Sequence, residues 1–166
     1  MDNEMIATIS KLKYGLILVL FANVSSASAQ EGVEPMDQAA WKLAKELTTA
    51  GAKLFEKGDS SALASQYLDD GEIVETAVEP FGNPVVKIYR GMENIKKLYA
   101  LAPQISHMSP VNEVRYARFI TPETLYMTGD FLITDQAKTS RFGFSQVRRK
   151  TGDRWKIVSL ELIVRK

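Results

Sequence analysis

The sequence has no cysteine and a single histidine, His107. Without thiols there is no disulfide, no thiolate metal site and no cysteine nucleophile, so stability must rest on the core. A zinc site or a Ser-His-Asp triad would have to use His107, and no confirming spacing surrounds it; it reads as a structural or exposed residue. No glycine-rich phosphate loop is present. The adjacent acids Asp69-Asp70 precede Gly71 and read as a helix stop and turn rather than a metal site. Neither metal nor cofactor is expected. An excess of charge is missing too: Lys and Arg total 21 against 20 for Asp and Glu, too even a balance to recruit nucleic acid or an anionic membrane surface.

A membrane-spanning run is also absent from the reading. The apolar stretch 14–24 is about half of the roughly 20 residues a span needs. It follows Lys11 and Lys13 and precedes Ala27-Ser28-Ala29, the order of a cleavable signal peptide. The expected organisation is a signal peptide over 1–29, a short leader over 30–36 and one domain over 37–166, secreted or periplasmic and without a stable membrane anchor. A chain of 166 residues, 45% of them hydrophobic, suits one domain with its own core.

Asp37 is a plausible N-cap for a helix running to about Lys57. Ala40, Trp41, Ala44, Leu47, Gly51, Leu54 and Phe55 recur at three- and four-residue spacing and make one apolar stripe. Gly51 lies inside it, where close packing, room for a pocket or simple tolerance would each explain a glycine. Gly58 ends this helix and Asp59 caps a short second one carrying Leu63, Ala64, Tyr67 and Leu68. Strands are expected over 72–79 and 85–89 around the turn 80–84. A third helix over 92–101 places Met92, Ile95, Leu98 and Tyr99 on one face. Four long strands follow, over 111–120, 124–134, 140–150 and 154–164, with connections short enough to imply antiparallel neighbours. Helices first and a meander afterwards predict an α+β fold: three N-terminal helices on a curved, mixed or antiparallel sheet, with a recess between the layers for a small molecule.

Three stretches, 55–70, Arg90-Gly91-Met92-Glu93-Asn94-Ile95 and 152–158, resemble in order the nuclear-transport-factor-2-like superfamily, in its SnoaL-like and ketosteroid-isomerase-like branches. The resemblance implies a cone-shaped fold and commonly a homodimer. It leaves activity open, because the superfamily includes cofactorless isomerases, cyclases, dehydratases and hydrolases beside proteins that only bind. Set against ketosteroid isomerase, Glu75 falls where a carboxylate base would be. Gly51 replaces the expected tyrosine, and the second acid falls near Ser145 and Gln146. Steroid isomerisation itself is therefore not expected.

Glu75 is the candidate general base, provided an apolar pocket surrounds it. It would need a donor for the developing oxyanion, and Tyr126, Gln146 and the Tyr67 hydroxyl are the candidates. Phe144, on the parity of Phe142, would floor a pocket or pack the core. Tyr67, Tyr126, Phe144 and Gln146 are thus the expected ligand-binding set. On the last strand Glu161 shares parity with Trp155 and Ile157; unless a bulge intervenes it is buried and wants a partner among Arg141, Arg148 and Arg149. The run Arg148-Arg149-Lys150, continued by Arg154 and Lys156, reads as a solvated hairpin. Three functions fit: a domain binding a small apolar molecule, a cofactorless isomerase, dehydratase or cyclase using Glu75, and a homodimeric interaction module using the outer sheet face.

Overall fold

The Asp37 carboxylate accepts a hydrogen bond from the Ala40 amide at 3.0 Å and opens helix α1, Gln38–Glu56. In the computed structural model, residues 36–78, 83–101, 108–135 and 138–165 are described. The expected signal peptide, most of the leader, the tip of the 80–84 turn and His107 lie outside the described residues. Gly58 closes α1 with a φ of +65°, a conformation that favours glycine. Asp59 then caps helix α2, Ser60–Ala64, by accepting from the Ala62 amide at 2.9 Å.

Here the chain departs from expectation. Tyr67 and Leu68 are not helical: they open strand β1, Tyr67–Val78, so Asp69-Asp70-Gly71 lies within a strand rather than at a helix end. Its turn chemistry is spent on a bulge instead. Between the Tyr67–Ile157 and Glu72–Ser159 pairings β1 takes five steps while its neighbour takes two, which kinks the strand.

Strand β2 is Val85–Arg90 and helix α3 Met92–Leu101. Strands β3 (Met108–Thr121), β4 (Thr124–Asp135), β5 (Lys138–Thr151) and β6 (Arg154–Arg165) complete one sheet in the order β2-β1-β6-β5-β4-β3. The pairs β1–β2, β3–β4, β4–β5 and β5–β6 are antiparallel, as their tight connections require. The β1–β6 pairing is parallel, because no hairpin joins these distant segments and nothing local sets their direction. The fold is α+β, with the N-terminal helix α1 packed across β3 on a six-stranded mixed sheet.

The core lies between α1, α3 and the inner sheet face. Ala40 and Ala44 bring α1 close, while Tyr67, Ile73, Ile95, Ala117, Leu125 and Met127 fill the space beneath. Trp41 anchors the helix by donating its indole N–H to the Val114 carbonyl at 3.3 Å.

Bulges decide which side chains join this core. Val147 pairs with Ser159 and Arg148 with Ile157, so Val158 is an extra residue in β6. Parity reverses there: Ile157, Leu160 and Leu162 face inward, and Glu161 is exposed. The bulge on which the burial of Glu161 depended is thus present, and Glu161 is turned to the outer face. It has no arginine partner among the described residues and accepts from the Ser145 hydroxyl at 3.1 Å.

Candidate functional site

The inner face of β5 is built by simple alternation, with Phe144, Gln146 and Arg148 all buried. Opposite them α1 presents only small groups, Thr48, Gly51 and Ala52, before the larger Phe55. Side chains this short do not fill the gap between helix and sheet. A cavity of about 120 Å³ remains there, closed further by Leu63, Gln66 and Tyr67, by Tyr99 of α3, and by Ile157, Leu160 and Leu162 of β6.

Most of the wall is apolar or aromatic. Phe55 stands edge-on to Phe131 at 5.3 Å between ring centroids and to Tyr99 at 6.4 Å. Polar groups also reach the wall, Asn112 donating to the Thr48 carbonyl at 2.9 Å. The Tyr67 and Tyr99 hydroxyls share a hydrogen bond of 2.8 Å. Burial raises the pKa of both phenols above the ordinary tyrosine value, most strongly for Tyr67, where the neighbouring Tyr99 adds to the effect.

Arg148 is the residue that the sequence reading misplaced. It is 3% exposed, not part of a solvated hairpin. Its Nε donates to Gln146 Oε1 at 2.6 Å, one terminal nitrogen donates to the Trp155 carbonyl at 3.3 Å and the other to Gln66 Oε1 at 3.4 Å. All three acceptors are neutral, and among the described residues no carboxylate pairs with it. Burial pulls its pKa down to about 10, against the pull of the two tyrosines in the other direction. Arg149, Lys150 and Arg154 are exposed, so the basic run is split by strand geometry. The signal was present in the sequence: extending the shared parity of Phe142 and Phe144 by two steps reaches Gln146 and then Arg148.

Of the other expected site residues, Tyr67, Phe144 and Gln146 line the cavity. Tyr126 does not. It alternates with the buried Leu125 and Met127, faces the outer side of the sheet and meets the Tyr116 ring edge-on at 6.4 Å. Glu75 shares the inner parity of Ile73 and sits beside Leu162 in the β1–β6 register, but it is not on the cavity wall. Gly51 is on the wall, where an added methyl would meet only the Gln66 amide, at 3.6 and 3.7 Å. Among the described residues no group of three or more His, Asp or Glu is placed to hold a metal ion.

Mixed sheet, helical cover and recessed cavity together define the nuclear-transport-factor-2-like fold. Solved structures share it at low sequence identity. A domain of unknown function with a cystatin-like fold from Nostoc punctiforme superposes with a TM-score of 0.59 at 16% identity, over 78% of each chain. A nuclear-transport-factor-2-like protein from Novosphingobium aromaticivorans gives 0.55 at 16% identity, over 80% of this chain and 92% of its own. One of unknown function from Pseudomonas putida gives 0.55 at 12%, over 78% and 89%. No protein-family model matches the chain, and no curated protein does.

Proposed function

We propose that this is an exported pocket domain that binds one small, largely apolar molecule between α1 and the sheet. The observation that carries the reading is the cavity itself: a mostly apolar wall with a few polar groups on it, the usual construction of a small-molecule site. By volume it is comparable to a cavity that admits benzene, and so has room for about four waters or a ligand of about six non-hydrogen atoms. Binding without chemistry is preferred to the Glu75 enzyme because Glu75 lies off the wall, and a general base must reach the proton it moves. Export is supported by the order of Lys11, Lys13, the apolar run 14–24 and Ala27-Ser28-Ala29.

The test is ligand capture. Protein purified from its native compartment is denatured, and the released small molecules are identified by mass spectrometry. The expected result is a stoichiometric ligand with wild type and none with Gly51→Leu, whose side chain projects into the cavity from α1. A wild type that releases nothing, or a ligand retained equally by Gly51→Leu, would count against the pocket reading.

A further inference from the structure

Arg148 presents a question that packing does not answer. A guanidinium has five N–H donors, and three hydrogen bonds to protein acceptors are made, leaving two N–H groups without an acceptor among the described residues on a side chain that lines the cavity. Its charge is unanswered by any acid among the described residues. A buried cation with only neutral partners is unfavourable unless something compensates it. If only hydrogen bonds to Gln146, Gln66 and Trp155 were required, neutral donors would supply them without that burden. The depressed pKa of Arg148 reports the same lack of an anion, and near neutral pH the group still carries its charge.

We infer that the ligand is a small carboxylic acid bound as its anion, the carboxylate lying on the free N–H groups of Arg148 and the apolar body among Phe55, Phe131 and Phe144. This rests on the pocket reading above and adds the ligand's chemical class. A carboxylate is chosen over a phosphate on charge and shape. One cation matches one negative charge, and the planar fork of arginine fits a planar two-oxygen acceptor. The Tyr67–Tyr99 hydroxyl pair stands on the same wall and leaves a hydroxyl proton for an acceptor, since two hydroxyls need only one proton for their shared bond.

The test compares acids with amides of the same shape: isobutyrate against isobutyramide, and pentanoate against pentanamide, each titrated calorimetrically into the full-length protein near neutral pH. Each compound has about six or seven non-hydrogen atoms, the size the cavity admits. The expected result is that the acid of at least one pair binds about tenfold to a hundredfold more tightly than its amide. In Arg148→Met that preference disappears, because the acid loses far more affinity than the amide. Because Arg148→Met removes three buried hydrogen bonds, Arg148→Lys is measured beside it. It keeps the charge, loses the fork, and is expected to retain part of the preference. The wild-type comparison needs no variant. Equal binding of acid and amide overturns the carboxylate inference and leaves the pocket reading standing. If none of the four binds, both fail.

Discussion

Arg148, Tyr67 and Tyr99 share one buried corner, and their protons answer pH in opposite directions. Unfolded, both phenols ionise near the ordinary value of about 10; folded, burial makes them hold their protons to higher pH. The stability this difference carries is complete below about pH 10 and is lost as pH rises through the folded values. Arg148 acts the other way. Its folded pKa of about 10 lies below the ordinary arginine value, so between the two the unfolded chain holds more protons and stability rises with pH. Below that interval its burial carries a penalty of roughly 3 kcal/mol. Urea unfolding followed from about pH 9 to about pH 12 should therefore show a shallower alkaline loss in the double variant Tyr67→Phe, Tyr99→Phe than in the parent. Arg148→Met should show a steeper one. Superimposable curves for parent and double variant would mean that the pair is not shielded from solvent.

At the scale of elements, the sheet depends on glycine where strands bend. Arg115 is an extra residue in β3 between the Val114–Gly129 and Tyr116–Thr128 pairings. A methyl group on Gly129 would overlap the Glu113 carbonyl oxygen and stand 3.0 Å from the Phe144 ring. Backbone cannot yield as a flexible side chain can, so Gly129→Ala should lower stability by about 2–3 kcal/mol. Gly51→Ala meets only ordinary contacts and replaces a helical glycine, so it should raise stability by up to about 1 kcal/mol. Thermal unfolding of the two variants reads both signs, and a neutral Gly129→Ala would mean that β3 does not bend here. These positions also mark what the sequence made legible. Asp37, Gly58 and Asp59 announce the helix boundaries because caps are local chemistry, and the 92–101 helix and the strand meander follow from periodicity. The bulges at Arg115 and Val158 have no local signature, since each is set by pairing with a distant strand, and at 68–71 the turn residues signal an irregularity without saying that it lies in a strand. The face that Glu161 takes is therefore left open by its strand parity alone. Arg148 was lost for another reason: charge was weighed before parity, although β5 has no bulge between Phe142 and Arg148.

Across the whole molecule, the inner sheet face is occupied by core and cavity, and the outer face is left to account for. In the β1–β2 register Val74 lies opposite Ile88 and Thr76 opposite Val86, all on the parity facing away from Ile73. Val86 and Ile88 are 53% and 51% exposed, an uncovered β-branched patch on an edge strand. Edge strands of this kind invite pairing unless they are covered or charged. The homodimer implied by the resemblance would cover this patch, and a specific interface buries about 800 Å² from each partner. Sedimentation velocity should then find wild type as a dimer and Ile88→Lys as a monomer, because a lysine at the centre of an apolar contact must be desolvated without a partner. The cavity lies on the inner face of the sheet, so Ile88→Lys should keep the acid-over-amide preference of the parent. A wild type that sediments as a monomer removes the dimer and leaves the pocket untouched. A monomeric Ile88→Lys that also loses ligand would instead mean that the second subunit helps to shape the cavity, and the two faces would have to be treated as one site.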